Sequence, residues 1–349
     1  MDIKDAIKKV TSFENLSMEE SLCLFRNIME GTCETSQIAA IITAFKMKGE
    51  TSDEIAGACR ALREKALKIN VRGQAVDLSR INFTPLLDTC GTGGSGIDIF
   101  NVSTTVSFIM AGIGIKVAKH GNRGVSSKSG SADVLEQLGV KIDVSPSITE
   151  KCIDEIGIGF LFAPLYHTAM KYASTARRDI GVRTIFNIIG PLSNPAFPNC
   201  QIIGVYDASL TEKISEVADK IGISRSMVVH GLDGLDELTI SDKTKITETR
   251  EGNSKTYYLG PEDFGIKRSS LDKLYVKSAS ESADMIKYVL KGGIGPARDI
   301  VLLNAALILI LLDKSRDFID ARKIAEEAID SGKAIKKLEE LIKMTNAAE

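Results

Sequence analysis

Residues 88–104 read DTCGTGGSGIDIFNVST, with Gly91, Gly93, Gly94 and Gly96 set beside Thr92 and Ser95, directly after the apolar stretch Phe83–Leu87. Glycine in ordered structure carries an entropic penalty, so such a cluster serves either a tight turn or the approach of bare backbone N–H groups to an anion. A helix starting soon afterwards adds the positive end of its dipole. A second cluster, KHGNRGVSSKSGSADVLE, gathers Lys119, His120, Arg123 and Lys128 among small residues, before a helix that opens near Ser131. Main-chain and cationic donors mixed in this way can wrap several phosphates; the alternative is a solvated basic loop. A third cluster, GLDGLDE at Gly231–Glu237, carries the adjacent carboxylates Asp236 and Glu237. One or two protein carboxylates are the usual share of a Mg2+ ion that also holds a polyphosphate and water. The glycine spacing fits neither a P-loop, which needs a terminal Gly-Lys-Ser/Thr, nor the GxGxxG dinucleotide pattern.

Each cluster follows a short apolar run. FTPLLDT, IKVAKHG, the segment 158–163, CQIIGVYD and SMVVHG read as strands. They alternate with amphipathic stretches such as Ser103–Gly112, ADVLEQLGVKI and KISEVADKIGI. The pattern predicts an α/β fold with a mostly parallel sheet covered by helices on both faces. Ligands in such sheets bind at the carboxyl ends of the strands, which is where all three clusters fall. Residues 1–70 read as helical throughout, with Ser17 and Glu20 opening one helix and Gly31 ending it. The segment 168–196 is expected to be helical up to a break at Gly190-Pro191 and to pack against those N-terminal helices. The chain then divides into a helical domain of 1–70 joined by 168–196, and an α/β domain of 71–167 and 197–349. Residues 255–260 and 272–277 are expected as additional edge strands.

The 349 residues balance 44 Lys plus Arg against 46 Asp plus Glu, a net charge of −2 that argues against a general nucleic-acid binder. Six cysteines are scattered with no CxxC pair, the usage of reduced, mostly buried thiols in a cytoplasmic protein; Cys90, beside the glycine-rich loop, reads as core filler. The longest apolar run, 300–312, is interrupted by Asn304 and is too short to span a bilayer, so it predicts a buried helix. None of His120, His167 and His230 has an evident nucleophile for a partner, and no Ser-His-Asp or HExxH pattern is present. The residues point to phosphate, metal and positioning, with no covalent intermediate.

Together with ARRDIGVRTIFNIIGPLSNP and GPARDIVLLNAA, the three clusters closely resemble the anthranilate phosphoribosyltransferase family, in order and over nearly the whole chain. The resemblance implies a small N-terminal helical domain beside a larger α/β domain of the nucleoside phosphorylase and phosphoribosyltransferase type. It also implies a homodimer and the stand-alone form, without an amidotransferase domain. The implied reaction moves the 5-phosphoribosyl group of 5-phosphoribosyl 1-diphosphate (PRPP) onto the amine of anthranilate, on the route to tryptophan, with two Mg2+ ions per subunit. By similarity, Gly91, Gly94, Ser95, Ile99, Asn101, Val102, Ser103 and Thr104 face PRPP. Lys119, His120, Gly121, Asn122, Arg123, Gly124, Val125, Ser126, Ser127 and Ser131 wrap its phosphates. Ser103, Asp236 and Glu237 serve Mg2+, and Gly91, Asn122 and Arg177 touch anthranilate, with Arg178 structural. Two positions depart from the family's usual loop: Ser95 stands where an acid is common and Ile99 where a threonine is. Ser95 offers a hydroxyl and an amide, but no negative charge for a metal.

The implied chemistry matches the residue types. Breaking the C1–O bond builds positive charge on the ribose and negative charge on diphosphate, which amides, Mg2+ and Lys119 can stabilise where it grows. The anthranilate amine is neutral at pH 7 and can attack directly, so no strong base is required; His120 is the candidate proton acceptor. A guanidinium at Arg177 can pair with the anthranilate carboxylate through two parallel bonds. The runner-up is a pyrimidine nucleoside phosphorylase of related fold, which needs no paired acids for metal. A nucleic-acid-binding relative of the fold would carry a basic excess that this chain lacks.

Overall fold

The first helices begin on side chains that satisfy their own exposed amides. In the computed structural model, which describes residues 1–71, 84–124 and 128–347, Asp2 caps α1 (Ile3–Thr11). Helix α2 (Met18–Glu30) opens on a reciprocal box in which the Glu20 amide donates to Ser17 and the Ser17 amide to Glu20. It closes at Gly31, whose φ of 73° lies in the left-handed region. Helices α3 (Thr35–Lys48) and α4 (Ser52–Lys65) complete the N-terminal group, the latter on a second box between Thr51 and Glu54. Two further helices, α9 (Lys171–Ile180) and α10 (Ile185–Leu192), share this core, with Ala173, Ala176, Ile185 and Ile189 packed among Phe25, Ile42 and Phe45.

The strands form one sheet: β1 (Leu86–Asp88), β2 (Lys116–Gly121), β3 (Ile158–Phe162), β4 (Cys200–Gly204), β5 (Arg225–Gly231), β6 (Thr244–Arg250) and β7 (Asn253–Leu259). Their order is β3-β2-β1-β4-β5-β6-β7. The first five are parallel and the last two antiparallel. The chain winds outward from β1 in one direction and from β4 in the other. A crevice therefore opens at the carboxyl ends of β1 and β4, where connections leave to opposite sides.

Side chains alternate across this sheet. Leu87, Val117, Phe160, Ile202 and Met227 bury against α5 (Val102–Ile113) and α13 (Pro296–Leu311). Ile203 and Val228 bury on the opposite face against the N-terminal group and α11 (Leu210–Lys220). The apolar run 300–312 is the buried core of α13, and Asn304 inside it is satisfied by a reciprocal pair of 3.1 Å bonds with the Leu238 backbone. The other helices are α6 (Ser131–Gln137), α7 (Pro146–Lys151), α8 (Ala163–Tyr166), α12 (Ala279–Leu290), α14 (Phe318–Asp330) and α15 (Lys333–Asn346). Among the described residues, none of the helices is long and apolar enough to cross a membrane.

Two local expectations change, and one strand was not anticipated. Helix α10 runs through Gly190-Pro191 to Leu192, and the break falls instead at 181–184, where Gly181 turns at φ 63°. Pro191 removes the N–H that would bond to the carbonyl four residues back, and the helix ends one residue later, at Leu192. Residues 272–277 are no strand: Leu271–Leu274 form a 3-10 turn, and a single bridge joins Tyr275 to Ile99. Strand β6 has no apolar run to announce it, because Ile246 is its lone aliphatic residue; its buried positions are Thr244, Thr247, Glu248 and Thr249, which bond across to neighbouring strands and α11. Edge strand β7 lies where 255–260 was expected.

Candidate active site

Parallel pairing puts the ends of β1, β2, β4 and β5 along one edge, and the three polar clusters issue from them. On the α5 face, the buried ammonium of Lys119 donates to Thr89 Oγ1 at 3.2 Å and Ser103 Oγ at 3.3 Å. Ser103 lies in the first turn of α5, which is capped by Asn101: its Oδ1 accepts from the Thr104 amide at 3.2 Å. The Ser103 amide and hydroxyl also face Glu237, and the Ser95 hydroxyl faces Asp236. Lys119, Ser103, Ser95 and the two adjacent acids thus meet at the mouth of the glycine-rich loop.

The end of β4 makes this convergence possible. The Thr92 amide donates to the Gly204 carbonyl at 2.8 Å, tying the loop to the end of β4. A Cβ at Gly204 would stand 1.7 Å from the Asp236 carbonyl oxygen, so the acidic loop can lie over β4 only because that residue has no side chain.

The charges are not balanced by ordinary pairing. Burial, then repulsion from Asp236, pushes the Glu237 carboxyl up to about 8, against the pull of Lys119 and Ser103. Burial likewise raises Asp236 and lowers Lys119. Two carboxylates that resist ionisation side by side form a site short of positive charge. Its donors are oxygen atoms only, and among the described residues no group of three or more His, Cys, Asp or Glu side chains has a metal-holding arrangement. Such a set suits a hard ion that keeps water and substrate oxygens, as Mg2+ does.

Residues 122–124 and 128–130 are held by acids of α6 and by Asp98. Arg123 pairs with Asp133 at 3.1 Å and with Glu136 at 2.8 Å, and the Gly124 and Gly130 amides both donate to Asp133 Oδ2. Lys128 donates through its amide to Asp98. Gly121 packs on Ser131 so closely that a Cβ would come within 2.1 Å of the hydroxyl. Val125, Ser126 and Ser127 lie outside the described residues. Asn122 is exposed, Gly91 and Ile99 are half-buried, and the Val102 side chain is core, leaving only its backbone toward the helix N-terminus.

His120 is the clearest departure. Alternation along β2 sends its ring to the face opposite Lys119, with the imidazole buried and 5.1 Å from that of His167. Only its backbone amide reaches the β1 end, donating to Asp88 Oδ1. None of the four ring nitrogens of this pair makes a hydrogen bond of good geometry among the described residues, although backbone groups of Gly190 and Ser193 approach the His120 and His167 rings respectively. Burial holds His120 well below the ordinary histidine value and His167 down to about 4, so both rings are neutral. The sequence gives no sign of this pairing, since a lone histidine at 167 carries no motif. Arg177 is half-buried over the Phe186 ring, and burial alone shifts its pKa, downward. Arg178 is exposed beside Asp179.

Comparison with known proteins agrees with this architecture. Residues 84–335 match the model of the glycosyl transferase family a/b domain, and residues 4–66 the helical bundle domain of the same family. The chain is 49% identical over 348 residues to the anthranilate phosphoribosyltransferase of Geotalea uraniireducens, covering 99% of both. It is 48% identical to that of Citrifermentans bemidjiense, over 99% of this chain and all of the relative. Among solved structures, the Thermus thermophilus anthranilate phosphoribosyltransferase superposes with a TM-score of 0.90 at 36% identity, over 98% of this chain and 99% of that one. The Saccharomyces cerevisiae enzyme in complex with PRPP and Mg gives 0.88 at 28% identity, over 99% and 98%.

Proposed function

The chain belongs to the anthranilate phosphoribosyltransferase family, and from that premise we propose which of its residues carry each part of the reaction. The activity is transfer of the 5-phosphoribosyl group from PRPP to the amine of anthranilate, with release of diphosphate, and Mg2+ is the cofactor. The observation that carries the residue assignment is the meeting of Lys119, Ser103, Ser95, Asp236 and Glu237 at the glycine-rich loop.

Asp236, Glu237 and Ser103 would hold Mg2+, two ions per subunit, and their raised carboxyls mark the lack of cationic charge that metal fills. When bound, the metal supplies positive charge to the diphosphate. The chain's own part is to fix the donor. Amides of the glycine-rich loop and the first turn of α5, with Lys119 beneath them, meet the diphosphate where its charge grows. Gly91, Asn122 and Arg177 orient anthranilate, Arg177 through its carboxylate. The amine attacks ribose C1 and sheds its proton afterwards. His120 stays in the proposal as the candidate proton acceptor, a neutral ring on the face opposite Lys119.

The division into 1–70 with 168–196 and 71–167 with 197–349 belongs to the same proposal; the packing of α9 and α10 with α1–α4 supports it, while the same core continues onto β4, β5 and α11. So does a homodimer. An apolar groove of about 440 Å3 runs between α1 and α3, lined by Val10, Phe13, Ala39, Ala40 and Met47, with Phe13 68% and Met47 73% exposed. The six cysteines are free, which fits a reducing compartment.

Anthranilate emission tests the reading. Protein, Mg2+, anthranilate and PRPP together should extinguish it, and omission of protein, Mg2+ or PRPP should preserve it. Phosphorolysis of thymidine without Mg2+, and no loss of anthranilate emission, would favour the nucleoside phosphorylase alternative.

A further inference from the structure

Arg183 lies in the connection between α9 and α10, far in sequence from the glycine-rich loop, yet its guanidinium donates to the Gly94 carbonyl. The approach is close: a Cβ at Gly94 would come within 2.8 Å of Arg183 Nη2. The same guanidinium stacks 4.5 Å from the centroid of the Tyr206 ring, just beyond the end of β4. Its backbone is held on both sides. Gly181 ends α9 in the left-handed region, and the Thr184 amide donates to Asn187 Oδ1 at 3.0 Å to start α10. A side chain anchored at its root by two helix ends and at its head by an aromatic face is a rigid support.

The consequence rests on peptide planarity. In a trans peptide the N–H points opposite to the C=O, so drawing the Gly94 carbonyl out to Arg183 turns the Ser95 amide away from it. Gly93, Gly94 and Gly96 all have positive φ (63°, 84° and 76°), and a loop this permissive has other conformations open to it. We propose that Arg183 is a positioning residue for PRPP: it locks the 94–95 peptide so that the glycine-rich loop presents its amides before the donor arrives. The Arg183 charge also reaches Asp236 across the same loop. This inference rests on the assignment of the glycine-rich loop to PRPP given above.

The test is PRPP binding to Arg183→Ala and Arg183→Gln by calorimetry with Mg2+ and no anthranilate, alongside steady-state kinetics for both substrates. Arg183→Ala should weaken PRPP binding and raise its KM about tenfold, the weight of one charge-assisted hydrogen bond. The anthranilate KM should stay within about twofold, and kcat should fall less than the PRPP KM rises. Arg183→Gln, which keeps an N–H for the carbonyl without the charge, should recover part of the loss. Unchanged PRPP binding in Arg183→Ala or a parallel rise in both KM values would each overturn the proposal. Wild-type protein that binds no PRPP would instead overturn the assignment of the loop.

Discussion

Asp236 and Glu237 sit side by side and half-buried, each held above its ordinary value first by burial, Glu237 up to about 8. Neutralising one relieves the other, so Glu237→Gln should leave the metal-free protein at least as stable as wild type. The same change removes an oxygen anion from the metal, so Asp236→Asn and Glu237→Gln should each raise the Mg2+ concentration for half-maximal activity about tenfold or more. Mg2+ titration of activity beside thermal melts without metal checks both halves, and wild-type titration curves in both variants would remove the assignment. Among the described residues no acid offsets the burial of Arg177, so it is available to a carboxylate that arrives with substrate. Arg177→Ala should raise the anthranilate KM far more than the PRPP KM, by a few kcal/mol at most in kcat/KM. An unchanged anthranilate KM would show that the guanidinium serves only the Phe186 ring.

Elements bring these residues together through close backbone approach. The acidic loop after β5 lies on the end of β4 at Gly204, where a Cβ would overlap the Asp236 carbonyl at 1.7 Å. Gly204→Ala must lift that loop or twist the strand end, and the loop, with fewer contacts, should move. The expected result is loss of Mg2+-dependent activity beyond the stability change, itself about 1–3 kcal/mol by overpacking. Denaturant melts and Mg2+ titrations on one preparation separate the two effects, and a Gly204→Ala enzyme with wild-type Mg2+ dependence would show that the loop position does not matter.

The whole molecule responds to pH through groups buried between its layers. A buried neutral imidazole takes up no proton where the unfolded chain does, so between about pH 6.5 and pH 4 the unfolded state binds more protons and stability falls as pH drops. Asp88, pushed up to about 6 by burial, and Glu237 act in the opposite sense, so the wild-type curve alone does not isolate the rings. His167→Gln does. With the folded ring at about 4, the stability difference between wild type and His167→Gln should shift against wild type by on the order of 2 kcal/mol from pH 7 to pH 5. A difference that does not change with pH would mean that the ring titrates in the folded state as it does in the unfolded chain. At the same scale, Met47→Glu places a charge in the α1–α3 groove and should turn a dimer into a monomer in sedimentation; a monomeric wild type would end the dimer proposal.

The capping box at Ser17 and Glu20, the Gly31 stop, the five parallel strands and the three loops that leave them were legible in the sequence because each rests on neighbours a few residues apart. Hydrophobic runs mark strands, and glycine, serine and acids mark the loops beyond their ends. Strand β6 was not legible: it is buried by threonines and Glu248, whose polar atoms are satisfied by residues of other elements. Nor was the division of Lys119 and His120 between opposite faces of the sheet turned into chemistry. Alternation alone separates the two residues, but which face meets Ser103 and Glu237 depends on where α5 and the β5 loop pack. The contacts of Gly204 with Asp236 and of Arg183 with Gly94 likewise join segments 32 and 89 residues apart. The sequence by itself determined the elements and the kinds of loop between them. The tertiary structure alone decided which atoms face one another, because long-range approach is set by the packing of whole layers and leaves no mark on the spacing of nearby residues.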